Sequence, residues 1–375
     1  MCELAELAGT VRERSGEETW ARLEPLVAGY GITRVAELTG LDVIGVPVWT
    51  AIRPGAVTLS ASQGKGATWQ LAAISAVMEA IELWHVEQPL PVAWHGSART
   101  VGAPYPLSAL PQRIDDDRLD RVTLDWTAGT GLVTGGRVPV PVGAVERRPP
   151  DVWRPQVFRA TSTGLACGTS RLEALLHALY EVIERHALHI DEQRRGELRT
   201  WIDPGTVDEP YVRSLIERVQ TAGAVLDLAV VSSPYGMPVC LAYLWSEDFP
   251  LWFAGGGCHH DPHVALARAI TEAVQSRLTC IAGTRDDLPS EEPVHQAAPA
   301  ARPAAKSGLQ RWEPVVGGGR AGGLAAQVDA TAALVQAVTG YEPLVVDLTQ
   351  PGSVVAAVKV VAPGATARTR KDIPR

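Results

Sequence analysis

The sequence predicts an α+β fold, with mixed sheets and long helices. Three observations lead there. Strand-like runs recur along the chain without strict β-α-β alternation. Several of them adjoin long apolar helical stretches. Three of those stretches repeat one pattern, a glycine-rich turn followed by Glu-x-x-Glu or Glu-x-x-Gln, which is the signature of a weak internal repeat.

In chain order, Glu17 to Ala28 has the spacing of an amphipathic helix. Two strands follow, Ile32–Val35 and Val46–Ile52, bridged by a turn near Gly40 and Gly45. Gly64-Lys65-Gly66 then opens the first long helix, which carries Glu79 and Glu82. After a strand at Arg137–Val145, Gly164 to Gly168 opens the second, with Glu181 and Glu184. Strands at Val225–Val231 and Pro238–Leu244 precede Gly255-Gly256-Gly257 and the third, with Glu272 and Gln275. Residues 289–324 are rich in Ala, Pro and Gly and are expected to form a mobile surface insertion. Strands resume at Leu344–Leu348 and Val354–Val361, so the fold is incomplete before them. The expected organisation is an N-terminal helical extension, 1–30, and one large domain, 31–375.

Composition excludes several classes. The 375 residues carry a formal charge of -8, are 46% hydrophobic and 20% charged, and contain no basic arm, which disfavours a nucleic-acid partner. The start, Met1-Cys2-Glu3-Leu4, lacks a secretory signal, and no apolar run reaches membrane-spanning length, so a soluble cytoplasmic protein is expected. The five cysteines are scattered without Cys-x-x-Cys, which indicates core filler and neither disulfides nor structural zinc.

The chemistry lies in the repeated carboxylates. Gly66 to Glu79 and Gly168 to Glu181 are both separations of thirteen residues, and the third copy is offset by two. An i, i+3 pair projects from one helix face. Glutamates usually lie on solvated faces. Here, from Ala67 to Val86, there is no Lys or Arg and the residues around Glu79 and Glu82 are apolar nearly all round. Ser75, His177 and Arg268 stand four residues before Glu79, Glu181 and Glu272, which makes a narrow polar stripe on each helix. Buried unpaired carboxylates cost several kcal/mol, so convergent stripes imply divalent cations and, with them, a polyphosphate.

Two readings of the glycine turns stay open. Gly64-Lys65-Gly66 is too short for a Walker A loop and fits a tight strand-to-helix turn. It also offers Ser60, Ser62, Lys65 and free N–H groups at a helix start, where an anion is favoured. Arg285-Asp286-Asp287, beyond the third helix, reads either as a solvated turn or as an Arg on phosphate with Asp on metal or water.

Together these residues resemble the YcaO family, whose members use ATP to activate peptide backbone amides. The resemblance runs from about Gly31 to Gly364. It is carried by Ser75, Glu79 and Glu82; by Thr161 to Gly168 with Glu173, Glu181, Glu184 and Arg185; by Arg268, Glu272, Gln275 and Arg277 with Arg285-Asp286-Asp287; and by Val346–Thr349 and Val358–Gly364. It implies a YcaO-type fold around a central ATP site, and a homodimer. Magnesium would be held by Glu79, Glu82, Glu173, Glu181, Glu184 and Glu272. ATP would be held by Lys65, Ser75, Ser162, Thr163, Thr169, Arg185, Gln275, Arg277 and Arg285. The chain departs from the family pattern at Leu83, where Arg is usual, and at Thr163 and Thr169, where Asn is common.

The product depends on the nucleophile. A substrate Cys, Ser or Thr gives an azoline, external sulfide a thioamide, and the peptide's own amine a macroamidine. The final residues contain a single proline near the end, unlike the proline-rich tail of azoline-forming members. Thioamidation of a ribosomal precursor peptide with a TfuA-like partner is therefore expected, ahead of an azoline route with an E1-like leader-binding protein. Cys167 and Cys258 are candidates to carry sulfur, with buried filler the stronger expectation. From a different class comes a non-catalytic scaffold that holds a leader peptide by strand addition near Val46–Ile52 or Pro238–Leu244. An ATPase acting on a non-peptide substrate also remains.

Overall fold

The computed structural model describes residues 5–113, 116, 118–149, 154–284, 304, 306–313 and 322–367. The chain opens with a hairpin, β1 (Ala5–Leu7) and β2 (Thr10–Arg12), where a helical extension is expected. Helix α1 (Gly16–Leu23) starts at a capping box between Ser15 and Glu18. It gives way to a 3-10 turn over Glu24–Tyr30 because Pro25 has no N–H to continue the α ladder. Leu23 is buried in the same core as Ala76 and Val77, so this segment packs onto the body of the fold.

Three antiparallel sheets follow. The first is β3 (Arg34–Glu37), β4 (Val48–Ile52) and β5 (Ala61–Lys65), in that order. The second is built from β6 (Trp94–Gly96), β7 (Leu124–Gly131), β8 (Arg137–Pro141), β9 (Leu165–Gly168), β14 (Leu344–Asp347) and β15 (Ala356–Val361). Its order is β6-β7-β14-β15-β9, with β8 also on β7. The third is β10 (Arg199–Ile202), β11 (Val225–Val231), β12 (Val239–Trp245) and β13 (Phe253–Cys258). The strand expected over Arg137–Val145 stops at Pro141 and turns into a 3-10 segment. β4 and β12 are interior strands, hydrogen-bonded on both sides, so the two stretches expected to accept a leader peptide have no free edge.

Each sheet ends in a strand that feeds a long helix. β5 leads to α2 (Trp69–Val86), β9 to α4 (Arg171–Gln193) and β13 to α6 (Pro262–Ala282). The other helices are α3 (Ala98–Val101), α5 (Pro210–Thr221) and α7 (Leu324–Thr339). Counted from their N-caps, Thr68, Ser170 and Asp261, the three long helices share one register. Ser75, His177 and Arg268 stand seven residues on; Glu79, Glu181 and Glu272 eleven; Glu82, Glu184 and Gln275 fourteen. The offset of two seen in the sequence lies in the longer turn before Asp261.

The strand glycines serve packing. A Cβ on Gly64 would sit 2.0 Å from the backbone nitrogen of Ala76, and one on Gly257 2.0 Å from the carbonyl oxygen of Ala265. Both lie four residues before their N-cap, where β9 has Ala166. Facing them at helix positions four and eight are alanines in every copy: Ala72 and Ala76, Ala174 and Ala178, Ala265 and Ala269, all buried. The small residues let strand and helix backbones approach closely, which accounts for the glycines as tight strand-to-helix packing and leaves Lys65 at the cavity.

The three units close into a ring. α2 packs on β9, α4 on β13 and α6 back on β5. The residue fourteen places into each helix makes the junction. Glu82 accepts the N–H of Cys167 at 2.9 Å, Glu184 lies 3.2 Å from where a Gly256 Cβ would stand, and Gln275 Nε2 donates to the Gln63 carbonyl at 3.1 Å.

Candidate active site

The ring encloses a cavity of 1110 Å³. Its walls carry Lys65, Ser75, Glu79, Glu82, Ser162, Thr163, Thr169, Glu173, Glu181, Glu184, Arg185, Glu272 and Gln275, so thirteen of the fifteen expected site residues converge. Arg285, with Asp286 and Asp287, lies outside the described residues. Arg277 is a correction. It is buried away from the cavity, where its guanidinium binds Asp42 at 2.9 Å, Asp248 at 3.0 Å and the Ser246 hydroxyl at 2.6 Å. It stands two residues from Gln275, about 200° of rotation, which puts its side chain on the opposite face of the helix.

The carboxylates are held and strained electrostatically. Burial pushes the Glu82 carboxyl well up, the Cys167 N–H opposes that shift, and Glu79 and Glu181 add to it. Burial, with Glu272 beside it, pushes Glu184 up to about 7. Glu181 accepts the N–H of Gly164 at 2.7 Å. Arg185 reaches Glu181 at 3.5 Å and Glu184 at 3.7 Å, while Lys65 of β5 reaches Glu272 of α6 at 3.6 Å. Each pair is longer than a close charge-assisted hydrogen bond.

Glu173 has a local role. One carboxylate oxygen accepts the N–H and hydroxyl of Thr169, at 2.8 and 2.7 Å, and the other meets Arg12 at 3.4 Å. These bonds hold the turn at the start of α4 while Glu173 remains at the cavity wall. The stripe residues complete the picture. His177 is held neutral, its pKa well down through burial and the positive charges of Arg268, Arg12 and Lys65. Those cations therefore concentrate beside it.

Sequence reasoning missed the N-terminal hairpin, whose Arg12 lines the cavity together with Arg14 just beyond it. No periodicity marks so short an element. It also left out Lys359, a buried β15 residue that donates to the carbonyls of Thr161 and Thr163 at 2.5 and 2.7 Å and so fixes the loop carrying Ser162. Its apolar strand setting concealed it.

The cavity suits a polyphosphate with hard cations. The Nε atoms of Arg14 and Arg268 are buried at the cavity wall without a hydrogen-bond partner among the described residues, as donors awaiting an anion would be. Among the described residues, no group of three His, Cys, Asp or Glu side chains could hold a metal ion by itself. Mg2+ does not require such a group, since it takes one or two carboxylates and completes its shell with phosphates and water. Cys167 and Cys258 are buried, and burial raises both thiols well above their ordinary range. Among the described residues, no helix is long and apolar enough to cross a membrane.

Comparison with known proteins agrees with this geometry. A family model described as YcaO cyclodehydratase, ATP- and Mg2+-binding, matches residues 63–366. The uncharacterized protein Rv1375 of Mycobacterium tuberculosis is 40% identical over 374 residues, 96% of this chain and 84% of that protein. An uncharacterized protein in the tfuA 3' region of Rhizobium leguminosarum bv. trifolii is 36% identical over 72% of this chain and 67% of its own length. Among solved structures, YcaO from Methanopyrus kandleri bound with AMPPCP and Mg2+ superposes with a TM-score of 0.72, at 21% identity, over 100% of both chains. A heterocyclase in complex with substrate and cofactor gives 0.73, at 19% identity, over 98% of this chain and 55% of that one.

Proposed function

This chain belongs to the YcaO family, and on that premise we propose that it uses ATP and Mg2+ to activate a peptide backbone amide by O-phosphorylation. The observation that carries the proposal is the closed ring, which turns Glu79, Glu82, Glu181, Glu184 and Glu272 toward one cavity shared with Lys65, Arg185, Arg268 and Arg12. The glutamates would hold Mg2+, and the cations, with Ser75 and Thr169, the phosphates. When bound, the nucleotide supplies the phosphoryl group that makes an amide oxygen able to leave, and the metal offsets the charge of that transfer. The chain's own contribution is position. Lys359 fixes the loop of Ser162 and Thr163, Glu173 fixes Thr169, and the ring junctions set the distance between helices.

The finer proposal is thioamide formation with external sulfide and a TfuA-like partner. Its support is the relative in a tfuA region, together with the buried, protonated state of Cys167 and Cys258, which suits neither to carry sulfur. Candidate peptide, ATP, Mg2+, sulfide and purified protein should yield a peptide heavier by the exchange of oxygen for sulfur. A peptide lighter by one water, formed without sulfide, would replace this with cyclodehydration. The scaffold alternative has lost its docking strands, since β4 and β12 are interior.

A further inference from the structure

A second set of guanidinium groups lines the same cavity. Arg113 and Arg159 lie on two short antiparallel stretches bridged at Gln112 and Phe158. Their anchoring is reciprocal. The Arg113 backbone N–H donates to the Val157 carbonyl at 2.9 Å and its Nε to the Phe158 carbonyl at 2.9 Å. The Arg159 backbone N–H donates to the Pro111 carbonyl at 3.0 Å and its Nε to the Gln112 carbonyl at 3.0 Å. Each side chain is thus held through Nε while its terminal nitrogens have no hydrogen-bond or ion-pair partner among the described residues. Both are exposed. In a chain of net charge -8, no described carboxylate pairs with either.

The surroundings separate this pair from the phosphate side. Lys65, Arg12 and Arg268 gather around His177. Arg159 instead also lines a smaller adjoining cavity with Thr161, Thr163 and Lys359. Arg147 belongs to this end too, since its charge acts on Lys359. At 1110 Å³ the main cavity exceeds the roughly 300–1,000 Å³ that one small ligand fills. It has room for a nucleotide and a length of peptide.

We propose that Arg113 and Arg159 form the recognition site for a carboxylate of the peptide substrate, placing an acidic side chain or a C-terminal carboxylate close to the amide that is modified. This rests on the cavity accepting a peptide. Planar guanidinium groups anchored at Nε keep their terminal donors for a carboxylate, which they bind with charge-assisted hydrogen bonds. An acidic group read at a fixed distance from the reaction centre would select one amide among many chemically equal ones.

The test uses the full chain and three fluorescent hexapeptides of Gly and Ser. One carries two Glu and a C-terminal amide, one two Gln and a free C-terminal carboxylate, and one two Gln and an amide. Wild type should bind one of the first two about tenfold more tightly than the third, the size of a charge-assisted contact; which one distinguishes side chain from terminus. The variant with both Arg113→Gln and Arg159→Gln, in which the amide can still donate to Gln112 and Phe158, should lose that preference while its thermal shift with Mg2+ and ATP is unchanged. If that variant does not fold, Arg159→Gln alone should reduce the preference at least threefold, on the same scale. Equal binding of all three peptides by wild type, or a preference that survives the substitutions, overturns the proposal. So does loss of the Mg2+ and ATP shift with unaltered melting of the free protein, which would make these arginines nucleotide ligands. A wild type without any Mg2+ and ATP shift would instead refute the nucleotide assignment, with the peptide preference still read independently.

Discussion

The backbone N–H of Cys167 donates to Oε1 of Glu82 at 2.9 Å, across a sequence separation of 85 residues. It joins the first unit's helix to the second unit's strand through the main chain, so the cysteine side chain is free of that duty. Cys167→Ala and Cys258→Ala should each retain sulfur incorporation and the response to Mg2+ and ATP, with stability lowered by about 1 kcal/mol for the lost buried volume. Mass analysis of product peptide is the check. A variant that binds ATP but no longer installs sulfur would return the thiol to the mechanism.

Glu82→Gln separates charge from hydrogen bonding. The amide oxygen can still accept from Cys167, while repulsion from Glu79 and Glu181 disappears. The free protein should melt at the same temperature or higher, and the stabilisation by Mg2+ and ATP, about 2.7 kcal/mol at a hundredfold excess over Kd, should vanish. Differential scanning fluorimetry with and without ligand gives both numbers. An undiminished ligand shift would remove Glu82 from the metal site.

A pH dependence follows from Glu184, whose carboxyl is pushed up to about 7. Between its ordinary value near 4.5 and that value, the folded protein binds more protons than the unfolded chain. Stability of the ligand-free protein should therefore fall as pH rises through this window, and the full penalty is present above it. Glu184→Gln should flatten the profile. Urea unfolding at several pH values decides it, and an identical slope in the variant would contradict the assignment.

Arg277 offers the converse. Its ties to Asp42, Asp248 and Ser246 are structural, and Arg277→Ala leaves Asp42 buried without its cation. A loss of about 3–5 kcal/mol is expected, with the Mg2+ and ATP shift preserved in protein kept folded at low temperature. Lys65→Ala should do the opposite. Its ion pair with Glu272 is partly exposed, so stability changes by under about 1 kcal/mol while the ligand shift drops.

Gly64→Ala and Gly257→Ala place a methyl against helix backbone at 2.0 Å, which no rotamer relieves. Each should cost about 3 kcal/mol or more, at the upper end of overpacking. Ala166→Gly, at the equivalent place in the second unit, should cost only about 1 kcal/mol. Chemical denaturation of the three variants compares them directly.

The helices and their carboxylates were legible in the sequence because glutamates in an apolar helix without nearby Lys or Arg, as in α2, are unusual, and because the same Glu-x-x-Glu or Glu-x-x-Gln pattern recurs in α4 and α6. The ring was not, since it depends on contacts such as Gln275 with Gln63, which no local pattern encodes. Arg277 was expected at the site because the family resemblance carried it there, although its two-residue spacing from Gln275 already turns it to the other helix face, toward Asp42. The glycine turns were legible too, but the alanines that face Gly64 and Gly257 across the strand–helix contact lie eight or more residues away and no local pattern links the two. The hairpin bearing Arg12 was too short for any periodicity to reveal, and Lys359 lay within an apolar strand that gave no hint of its buried bonds to the Thr161 and Thr163 carbonyls.

A ring has no end member. While the chain is being made, the first two helices emerge bearing Glu79, Glu82, Glu181 and Glu184, yet the last junction waits for Gln275, separated from Gln63 by 212 residues. Every shorter product holds like charges with no enclosing wall, and so gains little from Mg2+ or nucleotide. Closure also waits for β14 and β15, since β15 holds β9 of the second unit in its sheet, so the cavity is expected to take ligand only once the C-terminal strands are in place.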